Sequence, residues 1–213
     1  MTYDEKTRIG ITGLPGSGKS TLLELLTEEL TLYGIPHTCL SLSDEVRELT
    51  TIRNLEPTRP NLRDTANFLR QRYGNDIMAE LLCKRILTTP EALGHGVLLF
   101  DGIRTPEEVD TLRRHFGDSF VLIGVIASEE VITSRLRRRS RADEDPRVLI
   151  SDSATKSFLD EEAGAFEPTY GLNISGSLNQ ADAIIRNDGA LGNLRRDLVE
   201  ILNLSALKHS LSI

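Results

Sequence analysis

Gly13-Leu14-Pro15-Gly16-Ser17-Gly18-Lys19-Ser20-Thr21 follows the apolar run at residues 8–12 and opens a helical pattern over residues 19–33. These nine residues satisfy the spacing G-x-x-x-x-G-K-[ST]. The glycines permit backbone angles that turn successive N–H groups toward one anion, and the helix N-terminus behind them adds partial positive charge. In such a loop Lys19 reaches the β- and γ-phosphates of a nucleoside triphosphate, and the Ser20 hydroxyl holds Mg²⁺. A glycine-rich turn that binds nothing needs the glycines, but neither the strand before them nor the helix after them. Residues 13–21 are therefore the expected binding site for ATP with Mg²⁺.

The rest of the composition fits a compact enzyme-sized domain. The chain has 213 residues, 39% of them hydrophobic and 27% charged, enough for one core and too few for several independent units. Its 25 Lys+Arg against 32 Asp+Glu give a net charge of −7, which argues against a nucleic-acid coat protein. Lysine occurs only at Lys6, Lys19, Lys84, Lys156 and Lys208, so the cationic set is mostly arginine, the side chain suited to forked contacts with phosphate and carboxylate. No stretch approaches the roughly 20 apolar residues that span a bilayer, and the polar start, with Asp4 and Glu5, does not read as a secretion signal. Cys39 and Cys83 lack zinc-like spacing and are expected to be buried free thiols. The expectation is a cytoplasmic protein with no membrane segment.

Short apolar runs at 8–12, 37–42, 97–100, 120–127 and 181–186 read as strands covered on both faces, separated by helical patterns. That alternation predicts an α/β fold with a mostly parallel sheet. Thr105-Pro106-Glu107-Glu108 is a capping box with Pro at the first helical position. Ser128 is expected to cap the helix after the fourth strand, and a last helix begins after Gly189 with Leu191, Leu194, Leu198, Ile201 and Leu202 aligned. The interval 44–90 breaks the alternation with helical patterns at 44–53, 61–73 and 75–87 and no strand. Such an insertion lies beside the carboxyl ends of the strands, where open α/β sheets bind ligands. Residues 205–213 read as a tail.

Four further features bear on what receives the phosphate. Asp44 and Arg47, three apart after the second strand, share a helix face. Arg47 can clamp an acceptor phosphate and Asp44 can orient or deprotonate an acceptor hydroxyl; a helix start capped by Ser43 would use the same residues. Asp101-Gly102-Ile103-Arg104 follows a buried strand, so Asp101 can hold a Mg²⁺-bound water and Arg104 can reach over the cleft, unless Asp-Gly is only a turn. Arg135, Arg137, Arg138, Arg139, Arg141 and Arg147 crowd one helix end and the loop beyond it, with Asp143, Glu144 and Asp145 interleaved. They can close over the transferred phosphoryl group or simply complement the helix dipole. Asn187-Asp188-Gly189 ends the last strand; its loop is expected near the purine of a bound nucleotide, and an Asx-type turn capping the final helix would use the same residues equally well.

With these features placed, the chain resembles the superfamily of nucleoside monophosphate kinases and dephospho-coenzyme A kinases, most closely an archaeal-type nucleotide-kinase-like branch. The resemblance runs from about Arg8 to Leu202. Gly13–Thr21 matches the family's phosphate loop, and Ser43-Asp44-Glu45-Val46-Arg47 resembles its Gly-Asp-x-x-Arg segment with Ser43 in place of Gly. Asp101-Gly102-Ile103-Arg104 resembles an Asp-Gly-Phe-Pro-Arg stretch one residue shorter and without the Pro. Arg135 and Arg139 match an Arg-x-x-x-Arg before a lid, and Arg141 with Asp143 resembles a short lid, here residues 135–147. The resemblance implies a three-layer fold with a five-stranded parallel sheet in the order 2-3-1-4-5. It also implies Mg²⁺-dependent transfer of the γ-phosphoryl group of ATP to a nucleotide-like acceptor, bound in part by the 44–90 insertion. A different class, an ATP-hydrolysing switch or assembly factor acting on a macromolecule, fits the phosphate loop equally and predicts no acceptor. The sequence leaves the oligomeric state and the choice of ATP or GTP open.

Overall fold

The strand that feeds the phosphate loop lies at the centre of the sheet. The structure, a computed structural model, describes residues 7–89, 96–138, 151–164 and 171–210, with side chains as far as residue 202. Strand β1 (Arg8–Thr12) is flanked by two parallel neighbours, and the strands β2 (His37–Ser41), β3 (Val97–Ile103), β4 (Phe120–Ile126) and β5 (Ala183–Arg186) complete the sheet. All pairings are parallel and the order is β2-β3-β1-β4-β5. Between β1 and β3 run α1 (Lys19–Leu32), α2 (Leu42–Ile52), α3 (Arg59–Tyr73) and α4 (Ile77–Thr88). After β3 come α5 (Pro106–Phe116), α6 (Glu129–Arg138), α7 (Asp152–Ala163), α8 (Ile174–Asn179) and α9 (Leu191–Ser210).

Alternate side chains of each strand leave the sheet on opposite faces, and this sorts the core into layers. Leu98 and Phe100 of β3 pack with Met78 and Leu82 of α4 and with Val109 and Leu112 of α5. Val97 and Leu99 pack with Leu22 and Leu26 of α1 and Leu198 of α9 on the other face. Each such fully buried side chain contributes about 1.5–3 kcal/mol relative to exposure. A third, smaller cluster joins Ile132 and Leu136 of α6 to Phe158 and Leu159 of α7, with Leu14 of the phosphate loop against it. The loop is thus clamped into packing as well as hydrogen bonding. Among the described residues no helix is long and apolar enough to cross a membrane.

Several local expectations shift. Strand β3 continues through Asp101-Gly102-Ile103 because Ser41 pairs with Asp101 and Thr12 with Ile103. Helix α2 is capped by Ser41, whose Oγ accepts from Ser43 N at 3.3 Å, rather than by Ser43. The strand passes straight into the helix because Leu42 is already buried. Cys83 is buried as expected, but Cys39 is exposed, since β2 is an edge strand with only Leu40 fully covered. Leu191 is 57% exposed in the first turn of α9, which buries Leu194, Leu198 and Leu202 instead. Helix α7 falls in a stretch given no element in advance. Residues 139–150 and 165–170, which include Arg139, Arg141, Asp143, Glu144, Asp145 and Arg147, lie outside the described residues.

Candidate functional site

Gly13, Gly16 and Gly18 take positive φ values of 147°, 82° and 107°, and Ser17 N donates to Leu14 O at 3.1 Å to close the turn. A Cβ at Gly13 would collide with Val125 O and one at Gly18 with Asn187 Nδ2, so backbone angle and space both demand glycine. Helix α1 begins at Lys19, directly after the loop. Lys19 Nζ donates to Gly13 O at 2.6 Å and Leu14 O at 3.0 Å, which folds its cation across the loop. The Ser17 carbonyl is held from two sides: Asn187 Nδ2 donates to it at 2.8 Å and Arg135 Nη1 at 3.2 Å. Arg135 Nη2 also donates to Asn187 Oδ1 at 3.3 Å.

The ends of β2 and β3 form the opposite wall. Asp44 and Arg47 meet across one helical turn, Nε to Oδ1 at 4.0 Å, with both side chains more than half exposed. Such a pair stabilises little and leaves both groups accessible. Gly102 adopts φ 83°, and its open side faces Ser43 Oγ. Lys19, Ser20, Asp44, Arg47, Asp101 and Arg104 all line a cavity of about 280 Å³ over the phosphate loop, together with Gly13, Pro15, Gly16 and Gly18. The hard oxygens of Ser20 and Asp101 suit Mg²⁺, which favours a few protein oxygens completed by phosphate oxygens and water.

A second cavity of about 700 Å³ lies beside the first, walled by α2, α3, the end of β3 and α7. Six residues line both: Ser43, Arg47, Arg59, Gly102, Arg104 and Glu162. Helix α7 supplies the wall that sequence reasoning missed. Ser151 caps it by accepting from Ala154 N at 3.1 Å, and Thr155, Phe158, Leu159 and Glu162 recur at helical spacing, a legible signal. From this helix Glu161 reaches Arg63 at 3.2 Å, Glu162 reaches Arg104 at 3.8 Å, and the Phe158 ring lies beneath Arg59 at 5.4 Å. Sequence reasoning also passed over Arg70, and placed Glu108 only as part of a capping box. Glu108 is fully buried, and its Oε2 accepts from Arg104 N at 2.7 Å and Thr105 N at 3.2 Å while Arg70 Nη2 approaches Oε1 at 3.4 Å. Burial pushes the Glu108 carboxyl above the ordinary carboxylate range, with Arg70 and the Arg104 N–H pulling the other way. The capping box thereby aims the backbone that carries Arg104.

The arginine cluster does not act as a block. Arg135 faces the Ser17 backbone and lines neither cavity. Arg137 pairs with Asp152 of α7 at 2.5 Å, away from the phosphate loop, and Arg138 is exposed. Asn187 is buried against Ser17, while Asp188 ties down the next turn by accepting from Ser128 N at 2.6 Å.

A glycine-rich phosphate loop at the end of the central strand of a β2-β3-β1-β4-β5 parallel sheet defines the P-loop kinase-like class of proteins. Residues 9–158 match the family model described as AAA domain, and the chain belongs to that family, in its archaeal UPF0200 branch. A UPF0200 protein of Methanoculleus marisnigri is 34% identical over 194 residues, covering 91% of this chain and 94% of that one. Among solved structures, the fold is similar to shikimate kinase from Bacteroides thetaiotaomicron, with a TM-score of 0.57 and 17% identity over 93% of this chain and 97% of that one. It is likewise similar to a gluconokinase from Sinorhizobium meliloti, with a TM-score of 0.54 and 16% identity over 99% and 100% of the two chains.

Proposed function

We propose that the protein is a cytoplasmic phosphotransferase that moves the γ-phosphoryl group of ATP to a small nucleotide-like acceptor, a nucleoside monophosphate or dephospho-coenzyme A. The observation that supports this most is the pairing of two cavities, one over the phosphate loop and a larger one beside it, with six shared wall residues. A nucleotide switch that acts on a macromolecule needs the first cavity and has no use for the second.

In this reading the N–H groups of residues 13–21 cradle the donor's phosphates, and Lys19 leaves the Gly13 and Leu14 carbonyls to meet them. Ser20 and Asp101 would hold Mg²⁺, which supplies charge neutralisation between the terminal phosphates. Arg47, Arg59 and Arg104 stand where the two cavities join, so their charges neutralise the group in transit. Asp44 orients the acceptor's attacking oxygen and, for a hydroxyl, takes its proton. Asn187 and Arg135 keep the loop in its binding shape.

The test is a panel of acceptors read by mass, with Mg²⁺-ATP and Mg²⁺-GTP as alternative donors. It holds nucleoside monophosphates, dephospho-coenzyme A, and the two hydroxy acids named for the structural neighbours, shikimate and gluconate. One acceptor should gain a phosphoryl group as one triphosphate is consumed. Nucleotide hydrolysis without any phosphorylated acceptor across the panel would favour the switch.

A further inference from the structure

Arg70 is buried in a way that its protein partners do not account for. Its side chain is 5% exposed and forms part of the wall of the 700 Å³ cavity. Among the described residues its guanidinium makes one long contact, Nη2 to Glu108 Oε1 at 3.4 Å, and its Nε has no partner. Glu108 does not depend on that contact, because its other oxygen already takes two backbone N–H groups. A guanidinium presents five N–H donors in a planar fork, and buried donors left unmade are destabilising. A fold that keeps such a group on a cavity wall has donors in hand for an anion from outside.

Where that anion sits decides what it can be. Arg47, Arg59 and Arg104 line both cavities, whereas Arg70 lines only the larger one, away from the phosphate loop. Nearby wall positions are apolar, with Leu62, Ala66 and Met78, and among the described residues no aromatic side chain faces the cavity to stack on a base. Resting on the phosphotransfer reading above, the geometry points to an acceptor with two separate groups: a carboxylate or phosphate held by Arg70, and a hydroxyl presented at the Asp44 end. The hydroxyl oxygen forms the new bond to the γ-phosphorus, the bond from that phosphorus to the β–γ bridging oxygen breaks, ADP leaves, and the hydroxyl proton passes to Asp44. Of the two acceptor classes, a hydroxyl-bearing anion gives both Arg70 and Asp44 a partner. A nucleoside monophosphate, whose only anionic group is the one that reacts, leaves Arg70 unmatched.

The experiment uses the full chain saturated with Mg²⁺-ADP, titrated separately with inorganic phosphate and with malonate. The Arg70 Nε–H resonance, assigned by its loss in Arg70→Lys, should shift in the wild type with whichever anion the site takes, and the two arms tell phosphate from carboxylate. Affinity for that anion should fall at least tenfold in the charge-balanced pair Arg70→Met with Glu108→Gln, with ADP affinity unchanged. If the pair does not fold, the wild-type resonance decides alone. An Arg70 signal that neither anion moves, or anion affinity that survives in the folded pair, would overturn the inference while ADP still binds. Failure of Mg²⁺-ADP to bind would instead overturn the phosphotransfer reading on which it rests.

Discussion

Arg135 and Asn187 donate to one and the same oxygen, the backbone carbonyl of Ser17, and Arg135 also donates to Asn187 Oδ1. A helix and the turn after the last strand thereby fix the middle of the phosphate loop, so its N–H groups are aimed before any ligand arrives. Arg135→Met and Asn187→Ala each remove two of these hydrogen bonds, worth about 1 kcal/mol apiece, which predicts a loss of ADP affinity of roughly ten- to thirtyfold. Calorimetric titration of ADP checks this. Unchanged affinity in both variants would mean the loop holds its shape without the brace.

Lys19 rests on two loop carbonyls, and its loss removes a cation while leaving those carbonyls reachable by water. The substitution Lys19→Ala should leave the thermal midpoint nearly unchanged and lower turnover about 10²–10³-fold, as removal of one positioned charge-stabilising donor does elsewhere. Steady-state rates with saturating ATP, beside a melting curve, separate the two effects. A large drop in melting temperature would instead assign Lys19 a structural role.

Asp44 distinguishes the acceptor classes because only a hydroxyl has a proton to lose. The substitution Asp44→Asn should slow transfer to a hydroxyl by about 10²–10⁴-fold and barely slow transfer to a phosphate. The measurement is kcat with the best acceptor from the panel. Full activity on a hydroxyl acceptor would remove Asp44 from the chemistry.

The strands, the helical region between β2 and β3 and the phosphate loop were legible because each depends on a local signal: buried β-branched runs, helical spacing, glycines before a lysine; the sheet order followed only from the family resemblance. What was not legible depended on contacts distant in sequence. The spacing of Arg135 and Arg139 predicts a shared helix face, but only the fold shows that Arg135 meets Ser17, 118 residues away. Asn187 likewise reads as a turn residue until β5 is set beside the loop. Cys39 looked buried because its segment is apolar; the position of β2 at the edge of the sheet exposes it. Helix α7 has its Ser151 cap and helical spacing in the sequence, but its place as a wall of the larger cavity depends on packing against α3 and the end of β3.

The two thiols should differ sharply in reactivity. Burial, with a smaller effect from Glu80, pushes the Cys83 thiol up to about 12, whereas Cys39 is exposed on the edge strand. At pH 8 a thiol-exchange reagent should label one cysteine per native chain, and Cys39→Ser should abolish that labelling. Two equivalents should appear only after denaturation. Rapid labelling of native Cys39→Ser would show that the core around Cys83 opens far more readily than its packing implies.

Glu108 gives the clearest test of how burial and pairing balance beneath the acceptor cavity. Its folded-state carboxyl titrates above the unfolded value, with burial the larger cause and Arg70 opposing it. The contribution of such a group to stability is fully present below the unfolded value and is lost as pH rises through the folded one. The substitution Glu108→Gln removes the titration but keeps a carbonyl oxygen for the Arg104 and Thr105 N–H groups. The stability of the wild type relative to this variant should therefore decline as pH rises from about 4 toward 7, whichever chain is the more stable at the start. Urea unfolding of both chains across that range reads the difference directly, with effects common to both cancelling. If the wild type instead gains on the variant as pH rises, the attraction of Arg70 outweighs burial, and the ionised pair is held more tightly than its 3.4 Å contact indicates.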